Sequence, residues 1–237
     1  VWKWHPWLSH YITAFSFYIF GYNAFAGRFP FAIFGILSII LLFFVSLALY
    51  KDKKVALIAS FLLSFYVPFY LYSRQVRYYS LTIFLTLAVL YSYQRLITKK
   101  NNESIVLFII FNVLLFYTNY IPFLSVYLGM SIHFVLFNLN KRNFRNILFS
   151  SFIILLLTLP WFIYASLGTK SEGFGLYKIL FGFFHLSFYF LIYIFPVSLI
   201  PFVPNIVKHK HKTVDKGSIL LILVIVSTFI IVNVAPW

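Results

Sequence analysis

Two arginines in a short, tyrosine-rich segment are the residues of this chain best suited to chemistry. Arg74 and Arg77 lie in the sequence SRQVRYY at residues 73–79. A guanidinium group carries a fixed fork of donors that can grip a phosphate through two parallel hydrogen bonds. We therefore predict that Arg77, and with it Arg74, binds a phosphate. Arginines that only reach ordinary lipid phosphates at a membrane surface would give the same pattern, so both interpretations stay open at this point.

The composition indicates that the elements positioning these arginines lie in a membrane. Of the 237 residues, 62% are hydrophobic, 23% are aromatic and only 10% are charged, whereas soluble domains carry about 25% charged residues. The chain has no Cys, which excludes disulfides, thiolate metal sites and cysteine nucleophiles. We predict an all-α fold, a polytopic bundle of transmembrane helices.

Charged clusters divide the chain into eight apolar stretches, most of them long enough to cross about 30 Å of hydrocarbon. The predicted spans are residues 29–50, 55–72, 78–97, 104–118, 121–139, 147–167, 179–204 and 217–234. The fourth span is the shortest, and it needs its flanking residues or a locally thinner bilayer to complete the crossing. The seventh ends among three prolines, which predict a kinked or irregular end.

The basic residues between the spans alternate in density from loop to loop. Four loops hold 13 of the 19 Lys and Arg residues: Lys51, Lys53, Lys54, Arg95, Lys99, Lys100, Lys141, Arg142, Arg145, Lys208, Lys210, Lys212 and Lys216. The opposite loops hold the other six: Lys3, Arg28, Arg74, Arg77, Lys170 and Lys178. By the positive-inside rule the first set is cytoplasmic, so the arginine pair lies on the outer side. Short separate basic loops do not form the groove or stripe that nucleic acid requires, so we exclude a nucleic-acid partner despite the formal charge of +15.

A further helix is predicted before the first span. In residues 7–20 the polar side chains Ser9, His10, Thr13 and Ser16 recur at helical spacing, and apolar residues fill the remaining surface. Three tryptophans at or before residue 7 supply rings that favour headgroup depth. We predict an amphipathic helix lying flat at the extracytoplasmic interface. A short, slightly polar transmembrane helix is the alternative.

Ionisable side chains are almost absent from the predicted spans, which contain only Arg95 at a cytoplasmic end, His133 and His185. Charges at mid-bilayer mark ion and proton paths, so their absence argues against an ion-coupled transporter. We interpret His133 as a hydrogen-bonded packing residue. His185 lies about 10 Å below the outer surface, where it would either line a cavity that opens outward or be satisfied in the core.

Several short motifs, in this order and on one side of the membrane, resemble a known family. They are HPWL at residues 5–8, GRFPFAIFG at 27–35, SRQVRYYSL at 73–81, YTNY at 117–120 and LPWFIY at 159–164. Together they are similar to membrane glycosyltransferases of the C-type superfamily. The branch that they resemble contains protein O-mannosyltransferases, aminoarabinose transferases of lipid A and the RgtA–D-like domain. The resemblance covers about residues 1–165.

The resemblance implies transfer of a sugar from a polyprenyl-phosphate-linked donor to an acceptor hydroxyl on the outer face of the plasma (inner) membrane. The acceptor would be a lipid, a glycan or a protein. Arg77 and Arg74 would then bind the donor phosphate, and His5 and Tyr79 would be further substrate-site residues. A lipid-linked glycan flippase, another transporter and a non-enzymatic membrane scaffold are the alternatives.

The chain also departs from the family's pattern. Gln75 stands where relatives often carry Glu, and Asn119 stands where they often carry His, so acid–base or metal-assisted roles at these positions are in doubt. The family's catalytic Asp is expected upstream of Val1, and Glu172, the single outer carboxylate, reads first as part of a solvated turn and second as a base. The superfamily admits a divalent cation, although no ligand cluster here requires one. We accordingly expect residues 1–237 to be one transmembrane domain, incomplete at its N-terminus and at its C-terminus.

Overall fold

The computed structural model describes residues 6–99, 101–138, 141–164 and 219–226, and every regular element in these ranges is a helix. Residues 219–226 form one further short helical stretch. The helices before it are α1 Leu8–Phe20, α2 Ala24–Tyr50, α3 Lys53–Phe65, α4 Val67–Ser73, α5 Tyr79–Lys99, α6 Asn102–Phe116, α7 Tyr120–Phe137 and α8 Lys141–Tyr164.

The lengths and compositions of these helices confirm a multi-pass membrane protein. Four of them, α2, α5, α7 and α8, are long and apolar enough to cross a membrane, and α3 with α4 forms a fifth, broken candidate. The apolar helix α6 has 15 residues, or about 22 Å at 1.5 Å per residue, as expected for the shortest predicted span. The seventh predicted span, which includes His185, lies outside the described residues, and only residues 219–226 of the eighth are described.

The second predicted span, residues 55–72, is not one continuous helix, and this corrects the sequence-based prediction. It is divided at Tyr66 into α3 and α4, which meet at an angle of 64°. Pro68 lies in the first turn of α4. Pro68 has no N–H to donate, and in an unbroken helix its ring would clash with the carbonyl group of Ser64, so the break removes this clash. Tyr66 therefore takes an extended conformation with φ −75° and ψ 105°.

Short polar side chains fix the points at which four helices begin. Each of these residues precedes a helix, and its side-chain oxygen accepts a hydrogen bond from a backbone N–H of the first turn, which would otherwise have no partner. The capping residues are Asn23 for α2, Asp52 for α3, Asn101 for α6 and Asn119 for α7.

Contacts between segments that are distant in the sequence place its motifs at one end of the bundle. At this end, which we call the arginine end, Leu8 N–H donates to the Tyr117 carbonyl over 3.1 Å. The indole of Trp161 donates to the hydroxyl of Tyr120 at the same end. The opposite, lysine end holds the connection from α2 to α3 and an ion pair between Arg95 and Glu103 at 3.6 Å.

Two glycines of α2 bring this helix close to residues 74–78, which we call the arginine turn. A Cβ atom at Gly35 would lie 2.8 Å from Ser73 Oγ and 3.0 Å from Ser73 Cβ, and one at Gly27 would lie 3.2 Å from Val76 Cγ2. Contacts below about 3.4 Å are tighter than ordinary packing, so larger side chains would push the turn away from α2. The motif GRFPFAIFG therefore contacts the chain on both sides of Arg74, at Ser73 and at Val76.

The change Gly35→Ala is expected to lower the stability of the protein. Overpacking of a tight contact costs about 1–3 kcal/mol, which exceeds the roughly 0.5–1 kcal/mol that alanine gains over glycine within a helix. The unfolding midpoint in detergent, followed by tryptophan fluorescence, should therefore fall. Ile36→Ala, at the next and exposed position, is the control and should change it little. An unchanged or higher midpoint for Gly35→Ala would contradict the close approach.

Candidate functional site

The arginine turn presents two guanidinium groups that are held by tyrosines and remain exposed. Arg74 lies over the ring of Tyr70, with its Cζ 5.3 Å from the ring centroid, and its Nη1 donates to the Tyr70 hydroxyl over 3.2 Å. Arg77 Nη1 donates to the Tyr79 hydroxyl over 3.5 Å. Each guanidinium has five N–H groups, so these contacts orient the side chains and leave donors for a ligand.

An open polar cleft of about 620 Å³ lies on one side of the turn. Its walls are formed by Arg28, Tyr72, Arg74, Gln75, Val76, Arg77 and Tyr79. Three guanidinium groups therefore face one cleft, and α5 begins at its edge with the partial positive charge of a helix N-terminus. Within the described ranges the only acidic residues are Asp52 and Glu103, both at the lysine end. This cleft is suited to an anion such as a phosphate.

A second cavity of about 600 Å³ lies between α1 and the arginine turn. Its walls are formed by Pro6, Ser9, His10, Thr13, Ala14, Phe17, Phe31, Val76, Arg77 and Tyr78. Val76 and Arg77 line both this cavity and the polar cleft. Arg77 is thus the single charged side chain of the described residues that borders both spaces.

The polar face of α1 is turned toward the bundle, which the amphipathic pattern did not specify. Ser9 and Ser16 are buried, and the Ser16 hydroxyl donates to the Ala26 carbonyl of α2. Tyr11 and Tyr18 on the opposite face are exposed. Because the polar side chains face α2 and the second cavity, this helix contributes hydroxyl and imidazole groups to the site as well as aromatic rings to the outer surface.

Three tyrosine rings pack together beside the arginines of the turn. The rings of Tyr78 and Tyr79 are 4.8 Å apart, and the ring of Tyr72 lies 4.8 Å from that of Tyr79. Partial burial, and secondarily the neighbouring Tyr79, raises the pKa of the Tyr78 phenol above its ordinary value. The Tyr78 phenol therefore stays protonated at neutral pH, and Tyr78 also lines the second cavity.

The motifs HPWL, YTNY and LPWFIY contact one another at the arginine end. The ring of Trp7 packs 4.8 Å from that of Tyr117, and Trp161 of α8 hydrogen bonds to Tyr120. Asn119 caps α7, since its side chain accepts a hydrogen bond from Ile121 N–H over 3.2 Å. Its position is explained by helix capping, so the motif YTNY supports the site structurally.

The structure brings some of the sequence-predicted site residues together and leaves others undescribed. Arg74, Arg77 and Tyr79 share the polar cleft. His5, His185 and Glu172 lie outside the described residues. His133 is buried, and its Nδ1 is hydrogen bonded to the Tyr93 hydroxyl over 2.9 Å, which confirms the packing role.

Sequence reasoning did not select Arg28, His10 or Thr13 as site residues. The available signals were the position of Arg28 directly after Gly27 and the polar stripe of α1. Within residues 6–99, 101–138, 141–164 and 219–226, no group of three His, Asp or Glu side chains could hold a metal ion.

Comparison with known proteins gives one match. A family model described as dolichyl-phosphate-mannose-protein mannosyltransferase matches residues 4–164, which is more than half of the chain and includes all of α1–α8. No curated protein and no solved structure matches.

Arg28 is expected to take part in anion binding at the polar cleft, because its guanidinium lines the same space as Arg74 and Arg77. Arg28→Ala should weaken binding of farnesyl phosphate about tenfold, since a hydrogen bond to a charged group contributes about 1.5–3 kcal/mol. Titration calorimetry in detergent measures this change. Lys54→Ala, an exposed cation at the lysine end, is the control. Equal affinities for wild type and Arg28→Ala would show that Arg28 does not reach the anion.

Proposed function

The chain belongs to the dolichyl-phosphate-mannose-protein mannosyltransferase family, and on that premise we propose that it transfers a sugar from a polyprenyl-phosphate-linked donor to an acceptor hydroxyl on the extracytoplasmic side of the membrane. Family membership supports a membrane glycosyltransferase with a lipid-linked sugar donor. The observation that carries the finer proposal is the position of Arg77 between a cationic cleft and a second cavity with hydroxyl and imidazole groups.

The reaction requires that a lipid phosphate leave the anomeric carbon of the sugar. The acceptor oxygen attacks that carbon, the bond from the carbon to the phosphate oxygen breaks, and the acceptor proton passes to a base. The departing phosphate gains negative charge, which fixed cations stabilise without reorganisation. Arg77, Arg74 and Arg28 supply this stabilisation in our proposal. The described residues at this end carry no carboxylate, so the base is assigned to none of them.

The two spaces beside Arg77 suit different parts of the reacting complex. The cleft that contains three arginines suits the phosphate. The cavity beside α1 contains the side chains of Ser9, His10 and Thr13, which exchange hydrogen bonds with hydroxyl groups. We assign the sugar and the acceptor hydroxyl to this cavity, so that the bond to be broken lies next to Arg77.

The alternatives to a transferase receive less support. A flippase or another transporter is expected to carry charged groups within its spans or helices broken at the membrane midplane. Among the described residues, the seven residues of α4 separate the break at Tyr66 from the arginine turn, so the break lies toward one end of the bundle. The family match favours the transferase over both the transporter and the scaffold.

We infer the sidedness of the site from the distribution of Lys and Arg between the two ends of the bundle, by the positive-inside rule. The lysine end should then be cytoplasmic, and the arginine end extracytoplasmic. Because the chain has no Cys, Lys53→Cys and Gln75→Cys each introduce one reactive thiol at an exposed position. A membrane-impermeant maleimide should label residue 75 in intact cells, and residue 53 only after permeabilisation. Labelling of residue 53 from outside would reverse the proposed orientation.

Arg77 is expected to contact the donor phosphate during transfer. Arg77→Lys keeps the charge but loses the fork geometry, so it should already impair transfer. Arg77→Ala should cost about 1.5–3 kcal/mol, or roughly ten- to hundredfold in rate. The assay is transfer per folded molecule of the complete protein, with saturating acceptor and varied lipid donor.

Arg145→Ala removes an exposed cation at the lysine end and serves as the control, with activity close to wild type. If Arg77 only reaches ordinary lipid phosphates, Lys substitutes freely at position 77, and Ala lowers the yield of folded protein more than turnover. Wild-type kinetics for Arg77→Ala would rule out the phosphate role.

A further inference from the structure

An apolar groove of about 150 Å³ lies between α7 and α8, and we call it the α7–α8 groove. Its lining residues come from α5, α6, α7 and α8 and include no charged side chain. Met130 and Phe134 in its wall are buried, whereas Val135 of α7 and Leu148 of α8 also line it and are exposed. The groove is therefore open on the outer surface of the bundle, which in a membrane protein faces lipid.

The groove occupies only the half of the bundle next to the lysine end. Because Trp161 of α8 meets Tyr120 of α7 at the arginine end, α7 ends and α8 begins at the lysine end. The lining residues farthest from the lysine end are Tyr127 of α7 and Ser151 of α8. Since α7 ends at residue 137 and α8 begins at residue 141, both residues lie about 15 Å along their helices at 1.5 Å per residue.

This depth matches one leaflet of a bilayer, whose hydrocarbon core is about 30 Å thick in total. At the inner end of the groove the Tyr127 hydroxyl donates to Ser151 Oγ and joins the two helices. From that hydrogen bond to the lysine end, the space between α7 and α8 has the length and the apolar lining that suit a single acyl chain.

The lysine end of the groove lies at the first turn of α8. This turn has the sequence KRNF at residues 141–144, so it carries two cations, and Phe144 of the same turn lines the groove. The first N–H groups of a helix have no acceptor within the helix, and the helix dipole adds partial positive charge there. The first turn of α8 therefore favours an anion directly beside an apolar groove.

We propose that the α7–α8 groove binds an anionic phospholipid of the leaflet at the lysine end, with one acyl chain in the groove and the phosphate at the first turn of α8. The site lies at the opposite end of the bundle from the arginine turn, so the inference goes beyond the proposed function and does not depend on it.

The groove and the first turn make different contributions to binding. An acyl chain gains little hydrophobic free energy when it leaves the bilayer for the groove, because both surroundings are apolar. It fills the groove because an empty groove would leave the wall side chains without contacts on one side. The preference for an anionic lipid comes from the basic residues, since each Lys or Arg near the surface adds to the attraction of anionic lipid.

Native mass spectrometry of the complete protein tests the role of the first turn. The protein is titrated in detergent with phosphatidylglycerol and with phosphatidylcholine of the same acyl chains. We expect it to bind phosphatidylglycerol about tenfold more tightly, and the double variant Lys141→Gln with Arg142→Gln to lose this preference. The matched control, Lys53→Gln with Lys54→Gln, removes two cations from the connection between α2 and α3 and should keep it. Equal affinities for the two lipids in the wild type would overturn the proposal.

Groove-filling variants test the position of the acyl chain. Val135→Trp and Leu148→Trp add bulk to the groove, whereas Leu136→Trp and Phe149→Trp place the same ring at neighbouring positions that do not line it. All four positions are exposed, so each variant should fold. We expect the groove-filling pair to bind phosphatidylglycerol about tenfold more weakly, because the chain loses its dispersion contacts with the wall. The control pair should bind as wild type does, and equal effects of the two pairs would show that the groove does not hold the chain.

A photolabelling measurement on the wild-type protein covers variants that fail to fold. The complete protein is placed in phosphatidylcholine vesicles with a small fraction of phosphatidylglycerol that carries a diazirine in its acyl chain. Labelling should map to the groove residues of α7 and α8, and added phosphatidylglycerol should compete with it more strongly than added phosphatidylcholine. Equal competition by the two lipids would identify the groove as a contact for bulk lipid. That result, or labelling at the arginine end alone, would overturn the proposal.

Discussion

The close approach of α2 to the arginine turn requires two positions without a Cβ atom. At Gly35 an added Cβ atom would lie 2.8 Å from Ser73 Oγ, and at Gly27 it would lie 3.2 Å from Val76. These contacts set the distance between Arg28, which follows Gly27 on α2, and the two arginines of the turn. The same approach places α1 beside Arg77, since Phe17 of α1 also lies within van der Waals distance of Gly27. The cleft and the cavity on either side of Arg77 therefore depend on the packing of α2 at these two glycines.

The two ends of the bundle carry different sets of charged groups. At the lysine end, exposed lysines lie near Asp52 and Glu103. At the arginine end the described residues include no carboxylate, and the N-termini of α2, α5 and α7 add partial positive charges. An anion at this end therefore meets no competing carboxylate from these residues. Arginine suits this task better than lysine, because its planar fork binds two oxygens of one phosphate.

Sequence reasoning predicted the helices well because most of the described spans are continuous apolar runs. It missed the break at Tyr66, since the stretch remains apolar on both sides and only Pro68 signals an interruption. It selected Arg74 and Arg77, which are close in the sequence, but not Arg28, which reaches the cleft only through tertiary packing. The polar stripe of α1 was visible, although a periodic pattern does not say which neighbour the polar face contacts. His133 was assigned correctly because a lone histidine in an apolar helix needs a hydrogen-bond partner, which Tyr93 provides.

The central claim is that Arg77 binds the donor phosphate between the two spaces. The most direct test is a structure of the complete protein bound to a non-transferable phosphonate analogue of a polyprenyl-phosphate sugar. The account predicts phosphonate oxygens about 3 Å from the Arg77 guanidinium nitrogens, with the sugar on the α1 side. A phosphonate bound at the lysine end, or at the arginine end without contact to Arg77, would contradict it.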